Sequence, residues 1–352
     1  MYKQRIKNMH IKRNIKNKSI IGITKQELKE YSRSKGFPEF HGGQIFNWIY
    51  LKEIEDFNKM TDVPERLRKK LIKEFFINHL KVEKKKTAKD NKTTKYRFTL
   101  YDGEKVESVF LKDLTGRVTF CISSQVGCPV GCLYCATGKM GLKRNLSAGE
   151  IVNQVLTLSK LEQKPNNIVF MGMGEPLLNF DNLIKALKII IAMGIGHRKI
   201  TVSTCGVIKG IYNLAQTGLN LKLAVSLGSA IEKKRKMLIP YSRTYSIDKL
   251  LKALIEYRNL TKRRVSIEYT VIKDINDSIE DAKALVKFAK TAGAHVNIIR
   301  YNPISQADFQ KPDPKTVESF KNFLIKKGIR VSERYRRGNE IKAACGQLIT
   351  KG

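Results

Sequence analysis

Two hydrophobic periods divide the chain. From Thr24 to about Leu80, apolar residues recur at helical spacing: Leu28 and Tyr31, then Ile45, Phe46 and Ile49, then Leu67, Leu71 and Phe75. Thr24-Lys-Gln-Glu27 has the spacing of a capping box, in which the Thr hydroxyl accepts a hydrogen bond from the Glu N–H and the Glu carboxylate accepts one from the Thr N–H. Val63-Pro64 opens the third helix. The pattern predicts a small helical domain over 23–95, ending in a basic stretch from Lys81 to Arg97. Tyr96–Leu100 and Val106–Leu111 flank Asp102-Gly103, a hairpin signal, so 96–115 reads as a linking hairpin.

From Val118 the period changes. Strands are expected at Val118–Ile122, Asn167–Met171, Ile200–Ser203, Leu221–Leu227, Val265–Ile272 and His295–Tyr301. Helices over 148–161, 181–193, 208–216, 247–259 and 277–291 separate them. Strand–helix alternation with right-handed crossovers gives a parallel sheet, as a partial barrel or a doubly wound sheet. Both put function at the C-terminal ends of the strands. Every polar signature below follows such a strand.

Charge sharpens the picture. The 352 residues include 67 Lys and Arg against 32 Asp and Glu, a formal charge of +35. Clustered, that excess is the footprint of a polyanion-binding protein, nucleic acid first; a lysine-rich genome is the bland alternative. Basic clusters recur at Lys84–Lys86, Lys139 to Arg144, Lys233–Lys236, Lys262–Arg264 and Arg334–Arg337. Residues 1–22 are basic (Lys3, Arg5, Lys7, Lys12, Arg13, Lys16 and Lys18), read as a flexible tail. No apolar signal-peptide core follows them, and the longest uncharged apolar run, Ile189–Gly196, falls far short of a membrane span. A cytoplasmic protein with no membrane partner is expected.

Four of the six cysteines fall between Cys121 and Cys135. In a reducing compartment such crowding points to metal or redox chemistry rather than to disulfides. Cys128-x-x-x-Cys132-x-x-Cys135 lies on the loop after the first barrel strand. Three thiolates can each hold one iron of a [4Fe–4S] cube, leaving the fourth iron open to chelation by a small molecule. Tyr134 could shield one cluster face. A zinc site wants four ligands, usually from paired Cys-x-x-Cys units; Cys121 is the candidate fourth. Cys205 reads as structural.

This spacing, its aromatic residue and its position resemble the radical S-adenosylmethionine (SAM) superfamily. Five further segments narrow the resemblance: Phe120-Cys-Ile-Ser-Ser-Gln-Val-Gly-Cys128, Cys135-Ala-Thr-Gly, Gly141-Leu-Lys-Arg-Asn-Leu146, Gly172-Met-Gly-Glu-Pro176 and Ala343-Ala-Cys-Gly-Gln-Leu348. Together they resemble the RlmN/Cfr family, radical SAM enzymes that methylate an adenine of 23S ribosomal RNA. The resemblance implies an α/β fold: a partial (β/α)6 TIM-type radical SAM barrel over 116–304 beside a small N-terminal helical domain serving as an RNA-binding accessory. It makes 305–352 the segment that carries a methyl-carrier cysteine. It implies a [4Fe–4S] cluster on Cys128, Cys132 and Cys135, and SAM held by Gly174, Glu175, Ser203, Ser226, Leu227, Gly228 and Asn302. It assigns Cys345 as the thiol methylated by a first SAM, Glu107 as the base that removes the ring proton, and Cys121 as the thiol that resolves the RNA adduct through a disulfide with Cys345. Partners implied are 23S rRNA, with transfer RNA as an open possibility, and an electron donor such as flavodoxin or ferredoxin.

The residues themselves agree in part. Small neighbours allow close approach to Cys345, although a lone cysteine there is more often a buried small hydrophobe. Cys121 ends a strand seven residues before the cluster loop. Glu107, in Val106-Glu-Ser-Val-Phe110, sits among apolar residues that invite a raised pKa; Glu104 is its rival, and a solvent-facing strand position is the plain alternative. Two positions depart from the family pattern: Gly228 where His is usual, and Lys342 where an acid is usual. Gly174-Glu175-Pro176 and Gly141–Leu146 favour the branch that methylates adenine C2; Arg300-Tyr301-Asn302-Pro303 is closer to the C8 branch.

Overall fold

The computed structural model describes residues 18–305, 307–333 and 338–350, in two compact units divided between His79 and Leu80. The basic tail 1–17 and Arg334–Arg337 lie outside the described residues.

The first unit is helical: α1 Lys25–Ser34, α2 Phe40–Tyr50 and α3 Glu65–Glu74, closed by the short parallel pair β1 Lys18–Ser19 and β2 Phe75–Phe76. The Thr24–Glu27 capping box forms as the sequence predicts. Leu28, Ile45, Phe46, Ile49, Leu67 and Leu71 are buried together. A Cβ on Gly42 would lie 2.4 Å from the carbonyl of Leu28, so glycine is what lets α1 and α2 cross this closely.

The second unit begins with strands where a helical region was expected. Lys81–Thr87 (β3), Thr93–Thr99 (β4) and Lys105–Lys112 (β5) form an antiparallel meander. Residues 81–95 are therefore sheet, because alternation is masked in β3 by lysines pointing both ways on an edge strand. Val118–Cys121 (β6) continues antiparallel to β5. Gln125–Gly127 (β7) and Leu142–Asn145 (β8) make a separate ribbon, with the short α4 Ala136–Lys139 between them.

The βα repeats then run α5 Ala148–Leu161, β9 Asn167–Phe170, α6 Phe180–Ala192, β10 Ile200–Thr204, α7 Ile208–Gln216 and β11 Lys222–Ser226. After these come α8 Glu232–Leu238, α9 Ile247–Thr261, β12 Ser266–Val271, α10 Ile279–Ala292, β13 His295–Arg300, α11 Pro314–Lys326 and β14 Val331–Glu333. Strands β6, β9, β10, β11, β12 and β13 pair in that order, all parallel, giving the six-stranded partial barrel; β14 adds a short seventh. The sheet runs from β14 to β3 without closing on itself. Capping boxes at Ser147–Glu150 and Ser278–Asp281 start two of the helices. Among the described residues no helix is long and apolar enough to cross a membrane.

Candidate active site and its relatives

The ends of β6 and β9 are locked together before any ligand is considered. Ser123 Oγ accepts from the Met173 N–H (2.8 Å) and donates to the Glu107 carbonyl (2.5 Å). Gln154 accepts from the Ser123 N–H (2.9 Å), and Gln125 accepts from the Glu175 N–H (2.8 Å). Cβ atoms on Gly172 and Gly174 would lie 2.6 Å from Ser123 Oγ and 2.5 Å from Gln125 Cβ, and Gly174 has φ +98°. These glycines let the loop after β9 press against the Ser123–Gln125 segment.

The cysteine loop is closed at its base by the β7–β8 ribbon. The Cys128 N–H donates to the Gly141 carbonyl at 2.9 Å, and a Cβ on Gly127 would collide with that same oxygen at 1.9 Å. Cys128, Cys132 and Cys135 then face one cavity of about 150 Å³, with Tyr134 beside them. Burial pushes all three thiols up; Cys135 adds to the rise at Cys128 and Cys132, and Cys345 to that at Cys135. Thiols raised by burial stay protonated alone and lose their protons when they bind iron.

Ser203, Ser226, Gly174, Glu175 and Asn302 line the same cavity, each at or just past the C-terminal end of a strand. Asn302 Oδ1 is buried with no hydrogen-bond partner among the described residues, while its Nδ2 donates to the Cys345 carbonyl at 3.3 Å. An orphaned acceptor in a cavity is what a ligand's N–H or ammonium fills. Glu175 accepts from the Cys205 N–H (2.7 Å) and the Leu177 N–H (3.1 Å), bridging the ends of β9 and β10; burial pushes its carboxyl up. These residues fit a SAM molecule beside a three-thiolate cluster. Among the described residues no three His, Cys, Asp or Glu side chains converge on a single metal ion. A cube takes one thiolate at each of three corners and needs no such convergence.

Leu227 and Gly228 do not line this cavity. Leu227 is buried, and its N–H donates to the Glu268 carbonyl at 3.1 Å. Gly228 has φ +69° and accepts from Asn276 Nδ2 at 2.6 Å, so the backbone conformation itself favours glycine over histidine. Glu268, Thr270 and Cys205 do line it and were missed as ligand candidates. Glu268 was legible as the one acid in the buried strand Ser266-Ile-Glu-Tyr-Thr; its Oε1 accepts from Asn297 Nδ2 at 2.7 Å.

The segment 338–350 crosses this face as a strap. The Ala136 N–H donates to the Gly346 carbonyl (2.7 Å) and Thr137 Oγ1 to the Leu348 carbonyl (2.6 Å), docking it on the cysteine loop. Cys345 thereby lines the cavity of the cluster cysteines and is itself exposed. Cys121, at the end of β6, is buried and is not part of that lining. None of the six cysteines is in a disulfide, so the expected Cys121–Cys345 bond is not formed in this structure.

Glu107 is the largest correction. Its carboxylate does not sit among apolar side chains: Lys95 Nζ lies at 3.2 Å and Arg97 Nη2 at 3.2 Å, and the Ile349 N–H donates to it at 3.1 Å. Lys95 also donates to the Lys342 carbonyl (2.9 Å) and Arg97 to the Ile349 carbonyl (3.1 Å). The three charges clamp both ends of the strap that carries Cys345, and Glu107 lines neither cavity that Cys345 lines. Lys342, the second departure from the family pattern, takes a left-handed φ of +54° at one clamp point. Glu104 lies at the hairpin turn and pairs with Lys143 at 2.7 Å.

Arg235 also leaves its assigned role in a basic cluster. It is buried and donates to the carbonyls of Cys205 (2.6 Å), Ser226 (3.3 Å) and Leu227, tying the ends of β10 and β11 together. Lys143, Arg144, Lys234 and Lys236 are ion-paired with acids.

A parallel partial barrel with three cysteines on the first strand-end loop defines a radical SAM enzyme. Residues 122–289 match the family model of the radical SAM superfamily, and 18–77 match that of the ribosomal RNA large subunit methyltransferase N-terminal domain. The chain is 43% identical to a probable dual-specificity RNA methyltransferase RlmN of Thermosipho melanesiensis, over 94% of this chain and 98% of that protein. It is 41% identical to the dual-specificity RNA methyltransferase RlmN of Nautilia profundicola, over 93% and 96%. A crystal structure of a radical SAM methyltransferase from Sphaerobacter thermophilus superposes with a TM-score of 0.88 at 38% identity, covering 94% of this chain and 98% of that one. The chain belongs to the RlmN family of radical SAM RNA methyltransferases, whose cofactors are a [4Fe–4S] cluster and SAM.

Proposed function

We propose that this enzyme methylates an adenine of 23S rRNA, at C2, through a methyl group carried on Cys345. The observation that carries the reading is that Cys345 lines the same cavity as Cys128, Cys132 and Cys135. An RNA methyltransferase that used SAM directly would have no use for a thiol there. A ring carbon such as C2 of adenine is a poor nucleophile, so a methyl group must reach it by another route.

Cys128, Cys132 and Cys135 would hold the cluster; Gly174, Glu175, Ser203, Ser226 and Asn302 would hold SAM. The pair, when bound, supplies one-electron cleavage of SAM and a radical able to take hydrogen from a methyl group. The chain's own residues do the rest. Cys345 accepts a methyl group and presents it, through the strap, to that cavity. Lys95, Arg97 and Glu107 fix the strap on one side, and Ala136 and Thr137 on the other. Tyr134 and the buried strand ends exclude water. Cys121, as thiolate, attacks sulfur at Cys345: the S–S bond forms as the bond from that sulfur to the transferred carbon breaks, and the carbon keeps the electron pair and takes up a proton to become the methyl group; the strap must move for the two sulfurs to meet. Glu107 acts as base only after its bond to the Ile349 N–H opens.

Anaerobic turnover on protein-free 23S rRNA, with the methylated ring carbon mapped, tests the reading. The expected product carries the methyl at C2. A methyl at C8 would move the enzyme to the other branch, and methylation of a ribose or of an exocyclic nitrogen would refute the proposal. The same assay on transfer RNA asks whether a second substrate is used, and flavodoxin or ferredoxin serves as the electron donor.

A further inference from the structure

A further cavity, of about 300 Å³, lies between the antiparallel meander and the strap, and the function proposed above draws on only one side chain of its lining, Glu107. Lys84 and Lys86 of β3, Lys95 and Arg97 of β4 and Lys342 of the strap all line it. Against these five cations stand two acids, Glu107 and Glu340, and a single apolar side chain, Ile349. Strand register produces the excess. On the β3–β4 ladder Lys84 stands directly opposite Arg97 and Lys86 directly opposite Lys95, so one face carries four cations in a block. Like charges directly opposite one another destabilise a sheet.

The other face of β3 is balanced: Lys85 pairs with Glu162 at 3.5 Å and lies over the Tyr96 ring. On the cavity face, Lys84, Lys86 and Lys342 are exposed and form no ion pair among the described residues. Glu107 is already shared by Lys95, Arg97 and the Ile349 N–H. Glu340 is exposed and accepts from the Lys89 N–H at 3.4 Å. Burial pushes the Lys95 ammonium below its usual range, Glu107 pushes it back up, and Arg97 and Lys86 push it down again. Lysines on an edge strand ward off pairing with another chain. That accounts for Lys84 and Lys86, but not for Lys95, buried on the next strand, nor for Lys342, brought in by the strap.

We propose that this cavity binds a phosphate group, which bridges Lys342 to Lys84 and Lys86 and holds the strap against the sheet. Lysine ammonium groups bind phosphate as point charges, through hydrogen bonds that the charge strengthens. The lining holds no aromatic ring and only one apolar side chain, so nothing there reads a base and charge alone selects the ligand. A phosphodiester of an RNA backbone and free phosphate or pyrophosphate present the same chemistry. Either neutralises the cation block and stiffens the segment that carries Cys345. The site does not depend on Cys345 carrying a methyl group, because its charges and the strap contacts are in place without turnover.

Hydrogen exchange of 338–350 in the cluster-loaded enzyme reads the strap without turnover. With pyrophosphate at about ten times its Kd, amides that exchange by strap opening should slow about tenfold. An oligouridylate, which supplies phosphodiesters without an adenine, should slow them as well. Lys84→Ala/Lys86→Ala and, separately, Lys342→Glu should abolish the slowing by both ligands. Without ligand, Lys84→Ala/Lys86→Ala should unfold at no lower urea concentration than wild type, because it loses cross-strand repulsion; a clearly lower midpoint would make these lysines structural and overturn the site. Salt dependence identifies the source. If the RNA backbone occupies the site, the slope of log affinity for oligouridylate against log salt should flatten by about 0.7 in either variant, one phosphate on a single strand. Slowing by pyrophosphate alone, with that slope unchanged, supports the site and assigns it to free phosphate. Exchange indifferent to both ligands, or slowing that persists in both variants, would overturn it. A Cys345 that never carries a methyl would refute the function proposed above and leave each of these outcomes as it stands.

Discussion

Replacing Glu107 by Gln keeps the shape of the side chain and removes one charge. The consequence follows from its surroundings. The side chains of Glu107, Lys95 and Arg97 are only 2%, 9% and 13% exposed, so water cannot replace what is lost. Removing one partner from a buried ion pair costs about 3–5 kcal/mol, against less than ~1 kcal/mol for an exposed pair. Here one carboxylate serves two cations and the Ile349 N–H, so Glu107→Gln should destabilise the second unit by ~3–5 kcal/mol. The penalty should depend on pH. Burial pushes the Lys95 ammonium below its usual 10.5, and Glu107 is the group that pushes it back up. Without Glu107, the folded pKa of Lys95 falls further below the unfolded value. Between those two values the unfolded chain holds the extra proton, so stability climbs with pH. The deficit of the variant should therefore be largest near neutrality and shrink as pH rises toward 10.5. Urea unfolding of cofactor-free protein measures it, with hydrogen exchange on 338–350 reporting release of the strap. Restoring stability with the triple change Glu107→Leu/Lys95→Met/Arg97→Met would support the clamp. A loss below about 1 kcal/mol, or a loss flat in pH, would refute the reasoning.

Three further outcomes are expected. Cys135→Ser should lose the cluster's iron and visible absorbance after anaerobic reconstitution, whereas Cys205→Ala should keep both; loss in Cys205→Ala would mean that a fourth thiol is required. Arg235→Ala strips the hydrogen bonds from three strand-end carbonyls and should cost on the order of 3 kcal/mol with weakened SAM binding, and Arg235→Lys should not rescue it because a lysine cannot span the fork; a wild-type unfolding curve would contradict this. Glu175 has a folded pKa above its unfolded 4.5, so the native state holds its proton longer and stability from this group falls as pH rises through that window. The stability of Glu175→Gln relative to wild type should therefore increase from about pH 4.5 upward, and a pH-independent difference would count against the burial argument.

The barrel was readable because each strand is an apolar run followed by a helix with a 3.6-residue period. The helices Ala148–Leu161 and Ile208–Gln216 fall where that period places them. The meander strand β3 was not readable, since lysines at 81, 84, 85 and 86 on a sheet edge leave no apolar face to alternate. The cysteines of the cluster loop were legible because their spacing is local. Glu107 was misjudged for the opposite reason: its partners Lys95 and Ile349 lie 12 and 242 positions away, and no local pattern reports them. Arg235 shows the same limit, a charge within a basic run that folding turns inward to cap strand ends. The glycines of Gly172-Met-Gly-Glu175 were noticed, but the surface they press against, Ser123–Gln125, is distant in sequence.

The account depends on Cys345 being a methyl carrier. Cells expressing the protein in methyl-deuterated methionine, followed by peptide mass spectrometry, measure this directly. The account predicts a peptide containing Cys345 that carries the mass of one deuterated methyl group, absent when Cys128, Cys132 and Cys135 are replaced. An unmodified Cys345 in protein with a full cluster and SAM available would contradict it.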